Sequence, residues 1–386
     1  MNGLLRLTWS YLLFNRWKSL ILVFCLAITI FLPLVLNSLI RVYETRLTAR
    51  AASTPMIVGA RGDRYDLVVN SLYFTTESPE MITLEQEVLI DETGRAITIP
   101  LHVRYTARKH PIVGSTLEYF TFRNLTMARG TLPLRLGDCV LGAETARVLD
   151  LQPGDRLLTD QISLYNIASA YPLNMRVSGV LSASGSPDDR AIFTDLKTTW
   201  LIQGMYHGHE DVSDNEQLIL AQEGNTVHAN AAVVEYTEVT EENIGRFHVH
   251  GAATNMPITA ILVQAHSRKD ATLLKSAYNR SDRYQMLVSR EVVDELLHIV
   301  FQVKRFFDTS FGLMMLVCLL FVSIIVLLSL KIRRREMETM YRMGCSRGTM
   351  ICLQGLEWIF LASGGLFLAS LAVGLILFRF PLWKWL

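Results

Sequence analysis

The sequence lacks the motifs of several large protein classes. It has no G-x-x-x-x-G-K-[ST] motif and no Gly-Lys pair, so it has no P-loop to hold the phosphates of a nucleotide. H-E-x-x-H and G-x-S-x-G motifs are also missing, which removes two common signals of hydrolytic enzymes. The five cysteines include no C-x-x-C pair, so neither a disulfide framework nor a structural zinc finger is predicted. The net charge of +1 leaves no basic field for nucleic acid.

What the sequence has in excess is hydrophobic residues, which make up 50% of the chain. They are concentrated in three runs, Ser19–Ile40, Thr309–Leu330 and Ile351–Phe378, and Glu357 is the only charge in any of them. Each run is long enough to cross about 30 Å of hydrocarbon as an α-helix. The sequence therefore predicts a membrane protein with transmembrane helices at 19–40, 309–330 and 351–378, the first acting as a signal anchor.

The cations that flank these runs predict the orientation of the chain. Lys and Arg residues cluster before the first run, in segment 1–18, and in the connection 331–350. Because such clusters remain in the cytoplasm, both segments are predicted to lie inside. The N terminus is then cytoplasmic, and residues 41–308 lie in the periplasm or at the exterior of a bacterial inner membrane.

The outer segment is predicted to be a large α+β extracytoplasmic domain with ferredoxin-like strand-helix-strand halves at 56–110 and 252–288. Between the halves, 111–251 has short strands and turns that predict an inserted, mostly β lobe. The predicted elements of the two halves are strand Tyr65–Phe74, helix Thr83–Ile90, strand Arg95–Thr106, strand Ile258–His266, helix Lys269–Tyr278 and strand Tyr284–Val288.

Two stalks are predicted to connect this domain to the membrane. Apolar residues recur at helical spacing from Val293 to Phe307, so Ser289–Leu330 is predicted as one helix whose first part, 289–308, is a stalk. Segment 41–55 is predicted as the other stalk. A surface helix packed on the domain is the alternative. Segment 379–386 is predicted as an extracytoplasmic tail.

The connection 331–350 has the most specific pattern in the chain. Arg333–Met343 predicts a short charged amphipathic helix that Gly344 ends. A compact helix of this kind can move the two neighbouring spans as a rigid body when a partner pushes on it. The alternative is an ordinary positive-inside loop, which requires the cations but neither the helix nor the glycine turn.

These residues resemble the cytoplasmic loop of the ABC transporter permease family that includes MacB, FtsX, LolC and LolE. That loop has an R-x-R-E-[IM] start and a G-[AC]-S-[RK] end, and the span after it contains L-x-x-E and Gly-Gly. Residues 4–20 resemble the family's amphipathic N-terminal helix, so the resemblance implies a cytoplasmic helix of this kind at 1–18. Residues 140–157 and 175–193 resemble segments of the family's extracytoplasmic domain. The matching positions here are Arg333, Arg335, Glu336, Met337, Tyr341, Gly344, Cys345, Ser346, Arg347, Glu357, Gly364 and Gly365.

The resemblance implies a permease of the mechanotransmission type that is not itself an enzyme. A separate ABC ATPase dimer would hold ATP and Mg, no cofactor would lie in this chain, and a second copy or a paralogue would complete the permease. The family usually has four spans, whereas three are predicted here. The implied helix-packing residues are Glu357, Gly364 and Gly365. The implied ATPase-coupling residues are Arg333, Arg334, Arg335, Glu336, Met337, Glu338, Met340, Tyr341, Gly344, Ser346 and Arg347.

Three functions remain open from the sequence. The first is export or extraction of a lipoprotein, lipid, peptide or hydrophobic compound, with a periplasmic adaptor or lipoprotein as a further partner. The second is FtsX-like activation of a periplasmic cell-wall hydrolase. The third is a metal-sensing membrane receptor. Contact with membrane lipid is expected in all three, and nucleic acid is not an expected partner.

The metal hypothesis comes from two H-x-H elements, His207 with His209 and His248 with His250. On a strand, residues two apart lie on one face, so each element presents two imidazoles together. Zinc or copper would be a suitable metal if the two pairs met. Solvated loop histidines are the simpler interpretation.

Overall fold

The computed structural model describes residues 2–75, 79–161, 172–208, 219–223, 226–229, 236–249 and 252–379. They divide into two compact units. The helical unit comprises Met1–Thr45 and Leu297–Leu386, and the α+β unit comprises Arg46–Leu296. Two unbroken helices carry the chain from one unit to the other.

Eleven α-helices are found among the described residues, and three of them, α2, α9 and α11, are long and apolar enough to cross a membrane. The helices are α1 (Asn2–Phe14), α2 (Arg16–Ala52), α3 (Arg64–Tyr73), α4 (Glu85–Asp91), α5 (Glu118–Phe122), α6 (Ala143–Leu149), α7 (Leu196–Ile202), α8 (Arg268–Asn279), α9 (Ser289–Ile332), α10 (Arg334–Arg342) and α11 (Arg347–Arg379).

The two helices that enter the α+β unit extend well beyond the apolar runs. The α9 helix has 44 residues, so it is about 66 Å long at about 1.5 Å per residue. The prediction of one continuous helix from Ser289 to Leu330 is confirmed. The α2 helix likewise includes both the first apolar run and most of 41–55. Of the predicted tail 379–386, all but the first residue lies outside the described residues.

The described strands form one ten-stranded sheet and three two-stranded ladders. The strands are β1 (Met56–Ala60), β2 (Ile82–Thr83), β3 (Ala96–Ala107), β4 (His110–Ser115), β5 (Met127–Gly130), β6 (Asp138–Leu141), β7 (Arg156–Leu158), β8 (Asn174–Leu181), β9 (Ile192–Asp195), β10 (Tyr206–Gly208), β11 (Ile219–Glu223), β12 (Thr226–Ala229), β13 (Phe247–Val249), β14 (Pro257–Ile258), β15 (Ala260–Ala265) and β16 (Tyr284–Val288).

The large sheet has the order β16-β1-β15-β3-β4-β9-β6-β8-β5, with β7 paired to β8. Its first four strands come from the two predicted halves of the domain and pair antiparallel throughout. The next strands come from 111–251, and they continue the same sheet because β4 forms an antiparallel pair with β3. The predicted boundary at residues 110 and 111 falls inside β4.

Two apolar clusters form the core of the α+β unit. One contains residues of β1, β15 and β16 together with Trp200 of α7 and Leu274 of α8. The other contains residues of β3, β4, β6, β8 and β9 together with Leu157 of β7. Each cluster thus lies mainly against one part of the sheet, the first against β16, β1 and β15 and the second against β4, β9, β6 and β8.

The predicted strand Tyr65–Phe74 is wrong, because this stretch forms helix α3. Asp63 caps the helix by accepting the backbone N–H groups of Tyr65 and Asp66 at 2.7 and 3.1 Å. Leu67, Val68, Ser71 and Leu72 are buried at helical spacing. The strand of this half lies earlier, at β1, whose five residues are all buried.

The remaining elements of the two halves agree with the sequence apart from their ends. Strand Tyr284–Val288 is found as predicted, and the strand predicted at Arg95–Thr106 is β3. The helix predicted from Thr83 starts instead at Glu85, because Ile82 and Thr83 pair with β14. The strand predicted at Ile258–His266 is divided between β14 and β15.

Candidate coupling site

The predicted amphipathic helix of the connection is α10, and a glycine turn separates it from α11. Gly344 has a φ of 96°, a conformation that glycine adopts without strain, and its N–H donates to the Tyr341 carbonyl at 3.0 Å. Ser346 then caps α11, since its Oγ accepts the Thr349 N–H at 3.2 Å. The two helices are therefore joined by a short turn with defined hydrogen bonds at both ends.

Arg333, which immediately precedes α10, connects three helices. Its Nη1 donates to Glu357 Oε2 of α11 at 2.8 Å, and only 10% and 7% of the two side chains are exposed. The Arg333 guanidinium also lies over the Tyr11 ring of α1, with Cζ 3.3 Å from the ring centroid. A buried charge-assisted hydrogen bond and a stacked ring thus fix the start of α10 to both α1 and α11.

Tyr11 belongs to a wider contact between α1 and α11. Trp9 packs edge-on against Phe360, with ring centroids 5.9 Å apart. Leu12 and Leu361 are buried in one small apolar cluster together with a leucine of α2. The helix α1 is therefore held against α11 by apolar packing in addition to the contact of Tyr11 with Arg333.

The Gly-Gly pair lies where α11 packs on α2. A Cβ added to Gly365 would lie 2.8 Å from Leu26 Cβ, which is closer than real Cβ atoms approach one another. A Cβ on Gly364 would lie 3.5 Å from Val23 Cγ2, an ordinary contact distance. Gly365 is thus the position whose missing side chain allows the close approach of the two helices.

An open groove of about 430 Å³ lies between α10 and the neighbouring ends of α9 and α11. Three arginines and Glu338 give its rim an excess of positive charge, and Arg334 pairs with Glu338 at 3.4 Å. Arg347 lies over the Tyr341 ring, with Cζ 5.6 Å from the centroid. The lining residues are Leu330, Arg334, Met337, Glu338, Tyr341, Arg342, Arg347 and Met350. We call this the coupling groove.

Most of the residues predicted for coupling therefore lie together around α10. Met337 and Met340 are half-buried and line a small cavity next to α11, whereas Arg335, Tyr341 and Arg342 are exposed. The backbone of Glu336 is in the helix, but its side chain is outside the described residues. Tyr11 is not among the predicted site residues, since nothing in the sequence around it indicates that its partner is the distant Arg333.

The histidine elements lie on a separate ladder. Strands β10 and β13 pair antiparallel, with His207 opposite His248. The His248 Nδ1 lies 3.1 Å from the Arg246 carbonyl oxygen. The His207 side chain and all of His209 and His250 lie outside the described residues. Among the residues that are described, no group of three or more His, Cys, Asp or Glu side chains is placed to hold a metal ion.

Comparison with known proteins gives one family match. The profile of the family described as the MacB-like periplasmic core domain matches residues 19–236, which is more than half of the 386-residue chain. No curated protein matches the chain.

Among solved structures, the chain is similar to the periplasmic region of MacB from Actinobacillus actinomycetemcomitans, at 11% identity and a TM-score of 0.34. That match covers 63% of this chain and 92% of the other. It is also similar to the extracellular domain of the noncanonic ABC-type transporter YknZ from Gram-positive bacteria, at 13% identity and a TM-score of 0.31, covering 60% and 98%.

The family match covers the first apolar helix and much of the α+β unit, including most of the strands that extend the sheet beyond β3. It is consistent with three helices that are long enough for a membrane and with an extracytoplasmic α+β domain. Members of this family associate with an ABC ATPase. On this basis the chain belongs to the MacB/FtsX-like family of ABC transporter permeases, defined here by its MacB-like periplasmic core domain.

Proposed function

We propose that this chain is the membrane subunit of an ABC-type mechanotransmission machine, in which a separate ATPase binds the coupling groove. The observation that carries the proposal is the buried contact of Arg333 with Glu357 and Tyr11. Since this contact fixes the start of α10 to α1 and α11, a partner that displaces α10 displaces those helices too. The positive rim of the groove suits an acidic surface on the partner.

Transmission away from the groove would use the long helices. The α9 helix ends at Ile332, next to α10, and continues without a break to Ser289 in the α+β unit. A continuous helix carries a displacement along its axis because its backbone hydrogen bonds resist compression. The sheet order β16-β1-β15-β3 supports a ferredoxin-like arrangement of the unit that would receive the motion.

The proposed assembly places the groove in the cytoplasm, as the cations of 331–350 favour. ATP and Mg would be bound by the ATPase dimer, so this chain would catalyse no hydrolysis. A second copy of the chain, or a paralogue, would complete the permease. The output would act on a lipoprotein, lipid, peptide or hydrophobic compound, or, in the FtsX-like alternative, on a cell-wall hydrolase.

The central experiment captures the full chain from native membranes in mild detergent and identifies what co-purifies. An ABC ATPase whose activity rises in the presence of the chain is expected. Co-purification of an adaptor, lipoprotein or lipid would favour transport, and co-purification of a hydrolase would favour regulation. A chain that captures no ATPase would refute the proposal.

The groove is tested with one charge reversal and a matched control. Arg342→Glu reverses a cation of the groove rim, whereas Lys331→Glu reverses an exposed cation nearby that does not line the groove. We expect Arg342→Glu to weaken ATPase association at low salt and Lys331→Glu to leave it close to the wild-type level. Equal effects would show that general positive charge, rather than the groove, holds the partner.

A second candidate function is favoured by the register that places His207 opposite His248. Directly opposed residues of an antiparallel pair lie on the same face of the ladder, so the two histidine positions share one face. We propose zinc as the metal, since imidazole nitrogen is a preferred zinc ligand. Zinc titration of the full chain tests this, with His248→Ala expected to abolish binding and the exposed His266→Ala as the control.

A further inference from the structure

Arg50 lies in the last turn of α2, inside the α+β unit, and its side chain is buried. Its Nη1 and Nη2 donate to the two carboxylate oxygens of Asp188 at 2.6 and 2.9 Å, which is a bidentate pairing. Nη2 also donates to the Tyr119 hydroxyl at 2.9 Å, and Nε donates to the Leu72 carbonyl at 3.1 Å. One side chain at the end of α2 therefore holds three other segments of the unit.

Tyr119 completes the contact, and its hydroxyl donates to Asp188 Oδ1 at 2.6 Å. Burial alone would lower the pKa of Arg50, but Tyr119 and Asp188 raise it above its ordinary value. Burial alone would raise the pKa of Asp188, but the Arg50 charge and the hydrogen bonds that the carboxylate accepts lower it. Both groups are therefore charged at neutral pH, although only 7% and 1% of their side chains are exposed.

Asp188 connects this contact to the sheet. It lies in the 3-10 turn Pro187–Arg190, directly before β9, and its carbonyl accepts the Ala191 N–H at 3.3 Å. Gly142 approaches the turn so closely that a Cβ there would lie 2.3 Å from the Asp188 carbonyl oxygen. Strand β9 lies between β4 and β6 in the ten-stranded sheet. A displacement of Asp188 is thus delivered to the interior strands and not to an edge.

A second arginine holds the residues just after α2. Arg123 donates to Ser53 Oγ at 2.8 Å and to Thr54 Oγ1 at 2.6 Å, and its guanidinium lies over the Tyr119 ring, 5.7 Å from the centroid. Together these contacts leave the end of α2 little freedom to slide. Apolar contacts are non-directional and would permit sliding, whereas a bidentate ion pair fixes distance and angle together.

We propose that Arg50, Tyr119 and Asp188 form a joint that passes displacement of α2 into the middle of the ten-stranded sheet. Arg50 is then a positioning residue for coupling, and the inference rests on the proposed function. A buried ion pair adds little net stability compared with well-packed apolar residues. What the Arg50–Asp188 pair provides beyond stability is a fixed position and direction for the end of α2.

The test uses the full chain with its co-purifying ATPase in lipid nanodiscs. Hydrogen exchange is compared between the nucleotide-free complex and the complex with ATP and vanadate, in peptides covering 46–54 and 184–195. The joint variant is Arg50→Gln with Asp188→Asn, which removes both charges and so leaves no unpaired buried ion. The matched control is Arg176→Gln with Asp138→Asn, a second bidentate pair of the α+β unit, which joins β8 to β6 and lies outside α2.

In the wild type and the control, nucleotide is expected to change exchange in both peptides. In the joint variant, the change at 46–54 is expected to remain and the change at 184–195 to fall to less than half of the wild-type value. If the Arg50–Asp188 pair only stabilised the fold, its removal would not reduce the nucleotide response of 184–195 while leaving that of 46–54 unchanged. Tyr119→Phe, which removes one hydroxyl and no charge, should give a smaller loss of the same kind and replaces the double variant if that variant does not fold.

The two ideas fail differently. If the joint variant, or Tyr119→Phe in its place, keeps the wild-type change at 184–195, the joint is wrong while the proposed function stands. If the ATPase is stimulated but neither peptide of the wild type responds to nucleotide, the joint is again wrong. If no ATPase associates with the wild-type chain, the proposed function itself is wrong.

Discussion

His102 lies fully buried in strand β3, and it predicts a specific loss of stability at low pH. No described residue forms a hydrogen bond with either ring nitrogen. Its ring lies next to that of Tyr105, with the two centroids 5.7 Å apart. Burial, together with the charge of Arg104, lowers the pKa of His102 from 6.5 to about 3. The imidazole is therefore neutral in the folded state at any pH that an extracytoplasmic domain ordinarily meets.

The direction in which stability changes with pH follows from the protonation of His102 in the folded and unfolded states. Below pH 6.5 the unfolded chain binds a proton at His102 that the folded chain does not bind, so stability falls as the pH falls from about 6.5 towards 3. Above that window both states are neutral and the residue adds no pH dependence. With this pKa difference the loss is about 2 kcal/mol at pH 5 and about 5 kcal/mol in full. For a domain of this size, about 2 kcal/mol lowers the unfolding temperature by about 4–8 °C.

The assay compares thermal unfolding of the wild type and His102→Leu between pH 7.5 and 5. Unfolding of the full chain in detergent is followed through Trp200, a buried tryptophan of the α+β unit, after the other tryptophans are replaced by Phe. His102→Leu should raise stability by about 1–3 kcal/mol at neutral pH, because it removes buried polar atoms without partners, and should flatten the pH profile. The exposed His266→Gln is the control. Parallel profiles for the wild type and His102→Leu would refute the reasoning.

Three further predictions concern the helical unit. Gly365→Ala should destabilise the chain in detergent by about 1–3 kcal/mol, because its Cβ would overlap with α2, while Gly364→Ala should be tolerated; the order of their melting temperatures checks this. Glu357→Ala should cost about 1.5–3 kcal/mol, because the buried Arg333 guanidinium loses the carboxylate to which it donates, and an unchanged melting temperature would count against the pair. In a background without other cysteines, Cys345 should react with an impermeant maleimide only after the membrane is permeabilised, whereas Asp282→Cys, at a fully exposed position, should react before it.

The elements that the sequence predicts well have a signal that is local. Strand Tyr284–Val288 and the unbroken helix from Ser289 follow from composition and spacing within a single window. The strand predicted at Tyr65–Phe74 is wrong because apolar residues in a short stretch are consistent with either a buried strand or a helix, and the Asp63 cap is what favours the helix. The antiparallel pairing of β3 with β4, which joins the strands of 111–251 to one sheet, is a long-range outcome that no window contains.

The candidate site likewise has features with a local sequence signal and features that depend on distant residues. The helix α10 and its glycine turn are predictable from residue types at fixed offsets. The partners of the charged residues were not, since Arg333 meets Glu357 across 24 positions and a tyrosine of the first helix across more than 300. Arg50 was predicted only as part of a stalk, because an arginine near a helix end is ordinarily solvated.

Both buried arginines have one property in common that bears on function. Arg333 lies at a junction of helices next to the coupling groove, and Arg50 lies at the end of α2 within the α+β unit. Each pairs with a carboxylate, although well-packed apolar residues often stabilise a fold at least as well as a buried ion pair. The feature that apolar packing does not supply is direction, since a charge-assisted hydrogen bond weakens steeply when its geometry is disturbed. Such pairs prevent a helix end from sliding against its neighbours. A chain that transmits force from the coupling groove to the α+β unit must resist sliding of this kind.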